Sequence, residues 1–381
     1  MMKITSVTAK PVSYRVPEGQ NVTLGIGRAV KRDAVLVKVE TDEGIVGWGE
    51  AHHGRCPGAV AKLIDTTIRE LVVGMNALEV VAVWQRVHKM QLASHGMGTA
   101  AAMALSGLDI ALWDIRGKAA GWPLYRLLGG AARPVKAYAG GISLGWQQSP
   151  QQLAEEAQSY VARGYRALKL RCGDTPARDV ARVRTVRDAV GADIDILVDA
   201  NTNYSLDDFR RVVPAFEECM IGWLEEPFTP HDYRLYRDAA TRTTIPLAAG
   251  ENHYTRFEFT RLIEDGAVRI AQPDASKAGG VTELMRIAAM CSAWKIPFDP
   301  HTSATAINIA ASIHMLAAVD NPGYFEADVA RHNPFRDHLG GTADRLDENG
   351  CVRPPEGPGL GLDIDEAFVD AHPLIDGPCY V

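Results

Sequence analysis

Apolar and polar positions change rhythm twice along the 381-residue chain. Residues 3–16 and 34–41 alternate with period two, as extended strands with one buried face do. DEGIVGWGE, residues 42–50, reads as a turn feeding another strand. From about 59 to 130 the apolar residues recur at three-and-four spacing, ending in SGLDIALWDIRGKAAGWPLYRLLGG, and the period becomes helical. Strands followed by helices predict an α+β unit over 1–130. Beyond it, short apolar runs (VKAYAG, ALKL, DILVDA, IGWLEE, IPLAAGE, RIAQPD, IPFDPH and YFEAD) alternate with amphipathic stretches such as QQLAEEAQSYVARG and GVTELMRIAAMCSAW. Eight strand–helix units over 131–340 predict an α/β fold, a (β/α)8-type (TIM-like) barrel. An open doubly wound sheet is the alternative, but no G-x-G-x-x-G follows the first strand. The Gly- and Pro-rich segment 341–381 is expected to return to the amino-terminal unit and complete it as a cap.

Composition narrows the class. A hydrophobic content of 46% with 23% charged residues describes a globular chain, and a net charge of −7 points away from nucleic acid and anionic membranes as partners. Six scattered cysteines never form C-x-x-C, which disfavours a zinc ribbon or a redox pair and predicts free thiols. The start, MMKITSVTAKPVSYRV, lacks an apolar leader core, and no run reaches the roughly 18 apolar residues of a membrane span. A cytoplasmic protein is expected.

In such barrels chemistry occurs at the carboxyl ends of the strands. Those ends carry Lys169, Asp199, Glu225, Glu251, Asp274, His301 and Glu326, one per strand–helix unit. Asp199, Glu225 and Glu251 close three adjacent strands, where converging carboxylates repel unless a cation lies among them. Oxygen-only donors with room for water and substrate fit one Mg2+ per site. Glu225 is expected to face inward and Glu226 outward or into the loop; a one-residue register change exchanges them, so Glu226 stays an alternative. Lys169 and Arg171 share a face and suit a small carboxylate substrate, and Asn201 is either a donor to substrate or a turn former. Asp274 against one ring nitrogen would fix the tautomer of His301 and make the other nitrogen a base; Asp299 is the competing partner. Glu326 could protonate a substrate carboxylate oxygen if its pKa is raised. The loops 17–32 and 51–57 carry Arg28, His52, His53 and Arg55, which either touch the distal end of the substrate or are solvated.

WLEEP, GEN, PDASKAGGVT and the PH of the seventh run, with VGWGE and the 106–130 run, resemble the enolase superfamily and, within it, the mandelate racemase subgroup. The resemblance implies that Asp199, Glu225 and Glu251 bind Mg2+, that Asp274 and His301 form the acid–base dyad, that Glu326 is the acid near the substrate carboxylate, and that Lys169 is the first lysine of the second-strand motif. The subgroup commonly carries a second, basic lysine where this chain has Arg171, and arginine does not give up its proton. That favours dehydration of a sugar acid to a 2-keto-3-deoxy acid over racemisation, epimerisation or lactone cycloisomerisation. A barrel that binds metal and ligand without turnover is the remaining alternative. A homo-oligomer, dimer to octamer, is expected.

Overall fold

The computed structural model describes residues 1–381 apart from 25–26, 143–148, 303–304 and 342. Five strands open the chain: β1 (Ile4–Arg15), β2 (Thr23–Leu24), β3 (Gly27–Arg28), β4 (Lys31–Thr41) and β5 (Val46–Ala51). β1, β4 and β5 form an antiparallel sheet in that order, and β2 pairs with β3 in a separate arm. The register sets Val7 opposite Val39 and Ala9 opposite Val37, so the alternating apolar positions share one buried face. The helix Thr99–Ala120 crosses β5 at close range. A Cβ on Gly47 would lie 2.2 Å from the Ala111 carbonyl oxygen, and one on Gly49 1.9 Å from that of Gly107. The glycines of VGWGE are therefore a packing requirement.

The second unit carries β6 (Val135–Ile142), β7 (Ala167–Arg171), β8 (Asp195–Asp199), β9 (Ile221–Glu225), β10 (Leu247–Ala249), β11 (Ile270–Ala271) and β12 (Phe325–Asp328), followed by β13 (Cys351–Val352). They pair in parallel in the order β11-β10-β9-β8-β7-β6-β12. The seventh predicted strand, IPFDPH, is a correction: it holds its place only by single bridges, Ala271 with Phe298, Asp274 with His301 and Phe298 with Pro322. Pro297 and Pro300 have no amide hydrogen to give, so a regular ladder cannot form there. Those bridges still join the β11 side of the sheet to the stretch that leads into β12, and the curled sheet is a (β/α)8-type barrel with an amino-terminal α+β cap.

Inside the barrel, Tyr138, Ala167, Leu197, Trp223 and Ala248 form one buried apolar layer. Counting two residues onward from Ala167, Leu197 and Trp223 gives Lys169, Asp199 and Glu225, the next inward layer. The tail first pairs β13 antiparallel with β6, then crosses to the cap through Lys38–Glu366 and Lys10–Asp370, each 2.9 Å, and bridges from Pro373 to Val12 and from Tyr380 to Ala29. No helix among the described residues is long and apolar enough to cross a membrane.

Candidate active site

Register places Arg171, Asp199 and Glu225 side by side across β7, β8 and β9, with Ala248 of β10 next in the row. Lys169 is fully buried beneath them. Its Nζ lies 2.9 Å from Glu225 Oε1, 2.7 Å from Glu326 Oε1 and 3.7 Å from Asp199 Oδ2, above the Tyr138 ring. Burial alone would favour the neutral amine, but Glu225 and Glu326 outweigh it and hold the ammonium form. Arg171 donates to Asp199 and, at 3.3 Å, to Asn201 Oδ1. Burial pushes Glu225 up to about 7 against the pull of Lys169. Its Oε2 also accepts from Trp223 Nε1 at 3.2 Å and Gln272 Nε2 at 2.7 Å.

Across the mouth, His301 Nδ1 stands 2.7 Å from Asp274 Oδ2 and its Nε2 2.9 Å from Glu251 Oε2. Asp274 is held in place by Ser276 N and Oγ, both 2.7 Å, and by Asn308 Nδ2 at 2.8 Å. Asp299 is not the partner: its Oδ1 accepts from the Tyr324 amide at 2.5 Å. Burial would lower His301, but Glu251, Glu326 and the Asp274 bond raise it to about 10. His301 Nε2 and Glu251 are thus placed to share a proton.

Asp199, Glu225 and Glu251 end neighbouring strands, and their carboxylate oxygens do not all lie within 4.8 Å of one another. Among the described residues the one trio of His, Cys, Asp or Glu with ligand atoms within 4.8 Å of one another is Asp33, His53 and Cys379. Each predicted ligand instead holds a cationic side chain, as buried like charges must where nothing else neutralises them. The three still fit a hard divalent ion by donor chemistry: oxygen only, at one mouth, with cations rather than hydrophobes as present partners. Glu226 lies in the loop just past β9, as expected, but its side chain turns back toward the mouth. Its φ of 37° lies in the left-handed region, which breaks strand alternation, and its carboxylate shares Asn252 Nδ2 with Glu251, at 2.8 and 3.1 Å. Glu326 is not a raised acid: burial pushes it up, but Lys169, His301 and Arg171 pull it below the usual carboxylate range. Arg28 sits exposed on β3, its backbone paired with Val381, outside the cavity lining.

A cavity of about 540 Å³ lies between cap and barrel, lined by Arg171, His301 and Glu326 from below and by Glu50, His52 and His53 from above. Asn201 is 8% exposed and donates to Asp199, so it sits beside that acid rather than in the cavity lining. A wider groove of about 840 Å³ around Tyr160 and Arg336 shares Asp328 and Arg331 with that cavity but is lined by none of Lys169, Asp199, Glu225, Glu251, Asp274, His301 and Glu326. Sequence reasoning missed Glu50, Gln272, Lys277 and Asn252. Glu50 Oε2 accepts from Thr305 and from Asn308 N at 3.1 Å, and burial pushes the carboxyl up to about 8. Asn308 links it to Asp274. The signal was present in VGWGE, where a lone acid ends an apolar strand, and in PDASKAGG, where Lys277 stands three residues beyond Asp274.

A capped barrel whose mouth gathers three carboxylates, a buried lysine and an Asp–His pair defines the enzyme class. The chain belongs to the mandelate racemase/muconate lactonizing enzyme family of the enolase superfamily: residues 6–129 match that family's amino-terminal domain and 152–368 the enolase C-terminal domain-like model. It is 32% identical to an arabinonate dehydratase of Saccharolobus solfataricus over 89% of this chain and 90% of the relative. It is 33% identical to a D-galactonate dehydratase of Ralstonia pickettii (97% and 94%) and 32% to a D-galactarolactone cycloisomerase of Agrobacterium fabrum (96% and 97%). Among solved structures, an enolase superfamily member from Polaromonas sp. JS666 superposes with a TM-score of 0.97 at 56% identity over the whole of both chains. A racemase from Streptomyces coelicolor A3(2) with bound magnesium gives 0.87 at 27% identity, covering 97% and 100%.

Proposed function

We propose that the protein is a Mg2+-dependent dehydratase that converts a sugar acid to a 2-keto-3-deoxy acid. The observation that carries this reading is the asymmetry of the mouth. One side presents a histidine oriented by a buried aspartate at 2.7 Å; the other presents Lys169, locked as an ammonium between two carboxylates, and a guanidinium. Only the histidine side can exchange protons readily.

Asp199, Glu225 and Glu251 would hold the ion, which supplies positive charge to a substrate carboxylate as its α-carbon ionises. Lys169 adds a second positive group for that developing charge. With Glu251 committed to the ion rather than to the ring, His301 Nε2 would be the neutral base that takes the α-proton, and Asp274 on Nδ1 fixes the ring. The same nitrogen then gives the proton to the β-hydroxyl, which leaves as water, and the enol tautomerises to the keto acid. Asp274, held by Ser276 and Asn308, keeps the ring aimed through both transfers. The dehydratase names among the relatives support this reading, and the cycloisomerase name marks the rival outcome.

The test is a panel of aldonic acids, aldaric acids and lactones, assayed with Mg2+ in deuterated water. Keto acid should form, a chelator should abolish it, and added Mg2+ should restore it. Deuterated, inverted substrate or a ring-opened lactone without keto acid would make the enzyme an isomerase instead.

A further inference from the structure

The far end of the same cavity holds polar groups that this chemistry does not use. Asp33 of β4, His53 after β5 and Cys379 near the carboxyl end all line it, each with a ligand-type atom within 4.8 Å of the others. Asp33 is only 2% exposed. Its Oδ1 accepts from Ser13 Oγ at 2.6 Å, while its Oδ2, 3.0 Å from Lys31 Nζ, accepts no hydrogen bond among the described residues. His53 Nδ1 accepts the Arg55 amide hydrogen at 2.9 Å. Burial holds the ring to about 4, hence neutral, so its one proton is on Nε2.

These details decide what the trio can take. A metal ion finds no lone pair on His53, since one ring nitrogen is engaged and the other protonated, and Lys31 opposes it at Asp33. A hydroxyl group suits the site: it can donate to Asp33 Oδ2 and accept from His53 Nε2–H. A second carboxylate does not, because it would face Asp33. Of the nearby cations, Lys31 is engaged by Asp33 and the Ile375 carbonyl, Arg32 by the His332 carbonyl at 3.0 Å and by Asp328 at 3.8 Å, and Arg55 lies over the Tyr380 ring at 5.5 Å. Arg331 stands outside these pairs, exposed at the cavity rim.

We infer that Asp33 and His53 form a hydroxyl-binding subsite for the far end of the substrate, so that the enzyme takes monocarboxylate polyhydroxy acids in preference to dicarboxylates of the same length. The inference rests on the dehydratase reading for which end of the substrate lies where.

The Mg2+-loaded enzyme is assayed with a six-carbon aldonate and the aldarate of matching configuration. The aldonate should be preferred in kcat/KM by about tenfold or more, the scale set by one mispaired buried polar group. Asp33→Asn keeps the shape but removes the charge; it should raise the aldonate KM several-fold, leave kcat nearly unchanged and narrow the preference. His53→Gln should act in the same direction, which covers a misfolded Asp33 variant. A wild-type preference for the aldarate, or a ratio unmoved in both variants, overturns the subsite. So does stoichiometric zinc retained by the wild type and lost in Asp33→Asn. If neither acid is turned over or exchanges its α-proton, the dehydratase reading has failed. Calorimetric binding of the aldonate to Mg2+-loaded His301→Asn, with and without Asp33→Asn, then judges the subsite alone: equal affinities sink it, and a several-fold loss sustains it.

Discussion

Arg171 sets the reaction outcome in this account, because it occupies the place from which a second base would act. It holds Asp199 and Asn201 and cannot cycle through a neutral form. Arg171→Lys puts a dissociable proton there. Keto-acid formation should fall about tenfold as the Asp199 contact is lost, and recovered substrate should carry inverted deuterium at the α-carbon. NMR of recovered substrate checks this; a variant that dehydrates more slowly without any wash-in would show that the face is closed for another reason. Individual residues were unevenly legible in the sequence. Asp274 and His301 could be paired because one strand–helix unit separates them and neighbouring strands juxtapose their ends. Glu226 could not be placed, since its direction follows from a left-handed φ that alternation does not encode. The protonation of Glu326 and His301 depends on Lys169 and Glu251, residues distant in sequence, and only the assembled mouth reveals it.

Among the elements, the helix Thr99–Ala120 seals the cap and carries a buried acid, Asp109. Its Oδ2 accepts the Thr282 amide at 2.8 Å, its Oδ1 has no partner among the described residues, and burial pushes the carboxyl up to about 7. An unfolded aspartate releases its proton near pH ~3.9. Between those values the folded chain binds the extra proton, so this group's contribution is complete at low pH and is lost as pH rises through about 7. Asp109→Asn, which keeps an acceptor for Thr282, should therefore lose less stability than the wild type between pH 5 and 8. Thermal unfolding across that range measures it, and parallel curves would mean that Asp109 ionises normally. Apolar runs revealed most barrel strands because both faces of such strands are buried. The seventh run failed as a ladder because its two prolines remove donors, and the two-residue β2 and β3 are too short to leave a period.

For the whole molecule, cap and barrel share a core cluster and a cavity. Val12, Ala34, Leu36 and Trp48 from the cap pack into the same cluster as the barrel strands, and β5 delivers Glu50 to Asn308, the residue that holds Asp274. The two-unit organisation was legible as a change of period. The junction was not, because Glu50 reaches the strand ends through Asn308, and Asp33 and Cys379 line the same cavity, only in three dimensions. In the proposed reaction His301 alone moves the α-proton. Its most direct test is proton NMR of an accepted sugar acid with Mg2+-loaded wild type and His301→Asn in deuterated water. The wild type should give keto acid, and the variant neither keto acid nor loss of the α-proton signal. Exchange at the wild-type rate in His301→Asn would contradict it and move the base to Lys169.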